Sequence, residues 1–304
     1  MLKKLTAAAA LLGLLAALSL SACSGQEPQK PVEGKMQVTV SFNAMKEFAE
    51  AVGGDKVQVK TIIPDGTEPH DFEPKAGDIA SLAKSGVFVI NGLGMESWAA
   101  QAVSAAANTG LVEVDASKGA EPVKSAGAGE AKEHGQYDPH LWLSLKGAEI
   151  EVKNIKDGLC KADPANSDYY QKNCDSYVAK LENLYQDYKT KFSLDKKKNF
   201  VTGHAAFAYL CRDFGLEQNS VEDVFADGEP SAKKLSELVD YCKQNDVKTI
   251  FVEEMVSPAV SRTLAEQVGA KAVSIYTMEG SEDSLSYLDR AKANLEKIDA
   301  SLKG

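Results

Sequence analysis

The chain has 304 residues, 44% of them apolar and 26% charged, with ordinary numbers of glycine and proline. That composition excludes a disordered or fibrous protein, and the length suggests two domains. The formal charge of −10 repels polyphosphates, so no nucleic-acid partner is expected, whereas a cationic ligand is compatible with it.

Residues 1–22 read as an export leader. Lys3 and Lys4 precede the uncharged run 5–22, which ends in Ser21 and Ala22 directly before Cys23. A membrane-spanning helix is the competing reading of so long an uncharged run, but its many alanines and small-residue end favour a cleaved signal. Leu20-Ser21-Ala22-Cys23 resembles a bacterial lipobox. That resemblance implies cleavage before Cys23, a lipid on its sulfur, and a chain exported and anchored on the extracytoplasmic face of the cell membrane. Loss of the leader, which carries two lysines and no acid, moves the charge to −12. Buried acyl methylenes contribute about 0.8 kcal/mol each, enough with several chains for stable anchoring. Residues 23–36 are polar, with two prolines, and read as the tether.

Cys160, Cys174, Cys211 and Cys242 remain. Export permits disulfides, and four cysteines allow three pairings. Without a CxxC pair, spacing gives no support to a four-thiolate zinc site. The expectation is sequential pairing, Cys160 with Cys174 and Cys211 with Cys242, against four buried free thiols.

From residue 37 the chain alternates β-branched runs with amphipathic segments. Strands are predicted at 37–42, 56–62, 86–91 and 111–115, with helices at 44–53, 76–84 and 95–107. Residues 117–137, rich in Gly, Ala, Lys and Glu, break the rhythm and read as a surface loop. A helix follows to about 161. Apolar residues at 170, 174, 177, 181, 184 and 188 then mark one face of a continuous helix over 164–192, about 43 Å long. The tyrosines on it read as packing rather than as a sugar platform. Strands at 199–203, 217–221, 248–253 and 271–275 alternate with helices at 205–214, 231–245 and 258–268, and a last helix covers 283–302. The fold class is therefore α/β: two lobes, each a mainly parallel sheet flanked by helices, joined by one long rigid helix. The expected boundaries are 37–145 for the first lobe, 146–194 for the helix pair and 195–304 for the second lobe. No sequence repeat links the halves.

Three of the four histidines sit in loops framed by glycine or proline. His70 lies in Gly66-Thr67-Glu68-Pro69-His70, His140 in Asp138-Pro139-His140, and His204 follows the strand that ends at Gly203. Ligand residues of doubly wound domains belong at the carboxyl ends of strands. His70 and His204 fit that rule, one from each half, and could converge with His140 where the halves face each other.

The segments PDGTEPHDFEP (64–74), NGLGMESW (91–98), DPHLWLSL (138–145), VTGHAAFAYLCRDFGL (201–216), EPSAKKLSEL (229–238) and FVEEMVSP (251–258) resemble the solute-binding proteins of bacterial zinc and manganese ABC transporters. This is the zinc-uptake and streptococcal-adhesin-like lipoprotein family, cluster A-I, and the resemblance covers nearly the whole mature chain. It implies two α/β lobes on a rigid helix, and metal ligands at His70, His140 and His204. The family's fourth position is an acid after the last strand, here Glu279. Glu in place of the usual Asp, with Gly280 instead of proline after it, leaves water or Glu68 as alternatives.

Manganese-type members carry an acid where this chain has His204. Three imidazoles with one carboxylate suit Zn²⁺ in tetrahedral geometry, whereas two acids would suit harder Mn²⁺ better. The resemblance thus implies a high-affinity zinc-binding component, with Zn²⁺ as transported ligand. It would act as a monomer and deliver the ion to a membrane permease with its ATPase. Metal affinity is expected to fall below about pH 6.5, since imidazole must be unprotonated to bind. The stiff helix predicts little lobe motion on loading. Zinc-type relatives often carry a His-rich loop between the first two ligands, and here only His134 stands in it, read as a solvated residue.

The alternatives are a Mn²⁺ or Fe²⁺ carrier, an adhesin, which is compatible with transport, and more distantly a zinc hydrolase. Three histidines with an open water position also describe a catalytic site, but only unspecific acids such as Glu253 and Glu254 offer a base. The chain has no G-x-x-x-x-G-K-[ST] loop and no H-E-x-x-H pair. No enzymatic activity is expected.

Overall fold

The computed structural model describes residues 32–125, 136–226, 230–253 and 258–303. The expected leader, the expected lipidation position Cys23, most of the tether and His134 lie outside them. Strands β1 (Met36–Val40), β2 (Val57–Thr61), β3 (Val87–Ile90) and β4 (Val112–Asp115) alternate with helices α1 (Asn43–Gly53), α2 (Ala76–Leu82) and α3 (Ala99–Ala106). They form a parallel sheet in the order β2-β1-β3-β4. Val38 lies between Val59 and Val87 in the register. Such β-branched runs suit a sheet covered on both faces.

Helices α4 (Leu145–Ala162) and α5 (Ser167–Leu194) come next in the chain. The second sheet contains β5 (Asn199–Thr202), β6 (Glu217–Ser220), β7 (Thr249–Val252) and β8 (Lys271–Ser274). Its helices are α6 (Ala208–Phe214), α7 (Ala232–Gln244), α8 (Pro258–Val268) and α9 (Tyr287–Leu302). All its strand pairs are parallel, in the order β6-β5-β7-β8. Both lobes therefore use the same strand order, a topological repeat with no counterpart in sequence.

α5 has 28 residues, about 42 Å at 1.5 Å each. It buries Tyr170, Cys174, Leu181, Tyr185, Tyr188 and Phe192, and Tyr177 and Leu184 of the expected stripe pack partly buried against the same core. One apolar cluster runs from Val38 and Phe48 of the first lobe through Leu181 and Phe192 to Phe200, Phe251 and Leu295 of the second. A continuous core of this kind resists hinging. Gly158 lets α4 lie close on β4, since a Cβ there would come 2.2 Å from Val114 Cγ2. A smaller cluster around Val201, Leu238, Cys242 and Leu264 packs the outer part of the second lobe.

Three helices start later than periodicity predicts, α6 at Ala208 rather than 205 among them. α3 begins at Ala99 rather than 95, because Gly92, Leu93 and Gly94 have φ of 92°, 56° and 93°. α9 begins at Tyr287 rather than 283, because Asp283 and Ser284 are left-handed, and Ser286 caps the helix by accepting the Asp289 N–H at 3.2 Å. Part of the 117–137 loop is pinned: an isolated bridge pairs Lys124 with Tyr137, and Arg212 donates to the Glu121 carbonyl at 2.8 Å.

The expected disulfides are not formed. Cys160, Cys174, Cys211 and Cys242 are all free thiols. For the second pair the reason is packing, because Cys211 belongs to the core that joins the lobes and Cys242 to the outer cluster. Cys160 instead turns its thiol to the Ser167 carbonyl, 3.8 Å away.

Candidate metal centre

Four loops bring their side chains to the carboxyl ends of the two sheets. The loop after β2 carries His70. It turns at Pro64-Asp65-Gly66, where Thr67 donates to the Pro64 carbonyl at 3.2 Å and Gly66 takes a φ of 77°. His140 ends the Asp138-Pro139-His140 segment before a short 3-10 turn, Leu141–Leu143, that leads into α4. Asn91, at the end of β3, holds that segment by donating to the Pro139 carbonyl at 2.9 Å. His204 follows β5, and Glu279 follows β8.

The structure places ligand atoms of His70, His140, His204 and Glu279 all within 4.8 Å of one another. The Nε2 of His140 lies 3.3 Å from that of His70 and 3.3 Å from that of His204. A tetrahedral ion with bonds of about 2.0–2.1 Å holds its donors about 3.3–3.4 Å apart. Two of the three ring pairs, His140 with His70 and His140 with His204, are therefore spaced as edges of a zinc tetrahedron. His140, His204 and Glu279 are buried, and the His70 side chain is only 3% exposed.

Two of the rings, His140 and His204, are oriented from behind. Asp138 Oδ1 accepts both the backbone N–H and the Nδ1–H of His140, at 2.8 Å each. Tyr209 in turn donates to the Asp138 carbonyl at 2.6 Å. Burial, helped by the charge of His204, pushes the His140 pKa well below its ordinary value, so its Nε2 lone pair is available to a cation. Burial raises Asp138 to about 7 against the lowering effect of its His140 hydrogen bond.

His204 is held by Glu253, which caps β7 beside β5. The Glu253 carboxylate accepts the His204 Nδ1–H and the backbone N–H, the latter at 3.2–3.3 Å. Burial opposes a charged His204, but Glu253, with Glu279 and Glu68, outweighs it and pushes the pKa up to about 9. Gly203 makes room for this contact, since a Cβ there would lie 3.1 Å from Glu253 Oε2. β5 and β7 are neighbours in the sheet, so their carboxyl ends form the crevice at the change of strand order where α/β folds bind ligands.

The Glu279 Oε2 accepts the Thr277 hydroxyl at 3.0 Å, while its Oε1 is buried without a hydrogen-bond partner. Burial first, then the negative charge of Glu68, holds its carboxyl well above the ordinary range. A buried carboxyl with one oxygen left open, clustered with three imidazoles, is what a cation site presents. Glu68 sits differently: its Oε1 accepts the His70 backbone N–H at 3.2 Å and lies 3.9 Å from His70 Nε2, outside the four-residue cluster. Phe225 packs edge-on to His70 at 5.3 Å between centroids, and Glu222 nearby is raised to about 7, chiefly by burial.

Sequence reading did not single out Asp138 as a partner of His140 and treated Glu253 only as an unspecific acid. Both had a legible signal. Asp138 stands two residues before His140, and Glu253 ends the strand that must neighbour β5 in a doubly wound order.

A family model described as zinc-uptake complex component A, periplasmic, matches residues 38–301. A Treponema pallidum protein described as metal-binding is 44% identical over 91% of this chain and 90% of its own length. The high-affinity zinc uptake system protein ZnuA of Bacillus subtilis is 38% identical over 95% of this chain and 94% of its own. Among solved structures, the laminin-binding protein Lmb of Streptococcus agalactiae, described as a bifunctional protein with adhesin and metal-transporting activity, superposes with a TM-score of 0.81 at 32% identity. It covers 88% of this chain and 99% of that one. Two parallel-sheet lobes and a long helix agree with these likenesses, and the chain belongs to the zinc-uptake component A family.

Proposed function

We propose that the protein captures one Zn²⁺ ion between its lobes through His70, His140, His204 and Glu279. The ion is cargo, passed to a membrane permease that works with its own ATPase. As a component of a zinc-uptake system the protein is a binding protein, not an enzyme. The observation that carries the reading is the pair of 3.3 Å Nε2 separations beside the open Oε1 of Glu279. Three imidazoles, His204 giving up its Nε2 proton as the ion binds, and one carboxylate complete a tetrahedral shell for a borderline-soft ion, and oxygen-preferring Mn²⁺ is served less well. Asp138 and Glu253 keep the Nδ1 protons of His140 and His204, so each ring offers Nε2.

Loading would alter local loops more than lobe positions, because one apolar core passes through both lobes. No helix among the described residues is long and apolar enough to cross a membrane, and attachment is assigned to a lipid on Cys23. The protein is assigned as a monomer.

Competitive zinc titration of the mature chain beside His204→Ala tests the reading. One tight Zn²⁺ per chain, weakened at least about tenfold in the variant, or about 1.4 kcal/mol, is expected. An unchanged affinity in the variant would remove His204 from the site, and a preference for Mn²⁺ would require the metal to be reassigned.

A further inference from the structure

The loop that carries Glu279 belongs to the second lobe in sequence, yet it is held from the first. The Glu279 carbonyl accepts the Asn43 N–H, at the start of α1, at 3.1 Å. The Thr277 carbonyl accepts the Trp142 indole N–H at 2.7 Å. Ser281 donates its N–H to Asp65 Oδ1 at 3.1 Å and its hydroxyl to Asp65 Oδ2 at 2.5 Å, on the loop that carries His70.

At the centre of this arrangement is Arg290 of α9, fully buried. Its guanidinium donates to the Gly280 carbonyl, directly after Glu279, and to Glu282 Oε2 at 2.7 Å. The other terminal nitrogen pairs with Glu47 of α1. Glu47 is fixed in turn by the Asn43 side-chain amide at 2.7 Å and by the Tyr287 backbone N–H. Glu282 also accepts the Met278 N–H at 3.1 Å. Met278 is buried and has a φ of 60°, a left-handed conformation that a side chain rarely adopts and that persists only where surrounding contacts over-determine it.

We propose that Glu47 and Arg290 are positioning residues for the fourth metal ligand: their ion pair across the lobes fixes the Glu279 loop so that the open carboxylate oxygen meets the three imidazoles. Asp65 is a second tie of the same loop. The inference rests on the zinc reading of the site and adds to it the device that sets its fourth corner. A guanidinium fits this task because its fork can bind a carbonyl and two carboxylates at once, which an ammonium point charge cannot do in fixed geometry. The pair meets the Glu279 loop directly, at the Gly280 carbonyl and at Glu282.

A double-mutant cycle on the full chain tests the proposal, with zinc release measured by chelator chase. Glu47→Gln is expected to speed release about tenfold when Glu279 is present, and to change it by no more than about twofold in the Glu279→Gln background. Asp65→Asn, at an exposed tie that leaves no buried charge, should show the same dependence on Glu279 with a smaller effect, and it carries the test if Glu47→Gln does not fold. Cobalt bound to Glu47→Gln should give a visible spectrum shifted toward that of Glu279→Gln, a change that general loosening would not produce. Equal acceleration in both backgrounds, or wild-type release in a folded variant, would overturn the proposal. A wild-type chain that fails to bind zinc would instead overturn the reading of the site.

Discussion

The carboxylate of Glu253, at the end of β7, takes the Nδ1–H of His204, at the end of β5, and leaves only Nε2 of that ring facing the other imidazoles. The two residues are 49 positions apart in sequence but adjacent at the carboxyl edge of one sheet. The contact sets the tautomer and the aim of a ligand, and strengthens it as a donor.

Glu253→Gln should therefore weaken zinc binding about 10–100-fold while the fold holds. A competitive titration with a chromophoric chelator measures it. An unchanged affinity would mean that the ring is oriented by packing alone.

A second expectation concerns the stability of the metal-free protein. Glu96 is buried where its two oxygens accept the Asn91 and Gly92 N–H groups, at 2.8 and 3.0 Å. Burial nevertheless dominates and raises its pKa from 4.5 to about 7. Between those values the folded state holds more protons than the unfolded one, so stability falls as pH rises through that window. The loss from this group approaches about 3 kcal/mol once both values are passed. Glu151, fully buried with both oxygens unpartnered and also raised by burial, acts in the same direction. Urea unfolding at pH 5 and pH 7.5 should show a smaller loss in Glu96→Gln than in wild type, even if the variant is less stable overall. Equal losses would contradict the assignment.

The cysteines supply a third. Thiol titration of the denatured chain should find Cys160, Cys174, Cys211 and Cys242 all reactive without reductant. In the folded protein the partly exposed Cys160 should react first. Burial keeps the other thiols protonated, raising Cys242 to about 11, so they should lag. Thiols that appear only after reduction would restore the disulfide expectation.

Much of this fold was legible because parallel strands and amphipathic helices follow local rules. The β-branched runs at 37–42 and 86–91 and the alternating apolar stripe over 170–188 needed no partner to be read. The errors arose where a backbone conformation overrode the side-chain pattern. Leu93 and Ser284 are left-handed, and neither residue type announces that in advance. Three of the proposed ligands were visible because histidine is scarce in this chain and each sits in a framed loop. The fourth was ambiguous because acids are common, and only burial and position in the folded chain separate Glu279 from partly exposed Glu68. The interlobe pair of Glu47 and Arg290 had no sequence signal, since 243 positions separate them and neither lies in a motif.

The most direct test of the zinc centre is the X-ray absorption fine structure of the zinc-loaded protein. The arrangement of His70, His140, His204 and Glu279 predicts three imidazole nitrogens and one carboxylate oxygen at about 2.0–2.2 Å, with no sulfur. A six-oxygen shell, a sulfur at about 2.3 Å, or fewer than three imidazoles would contradict it.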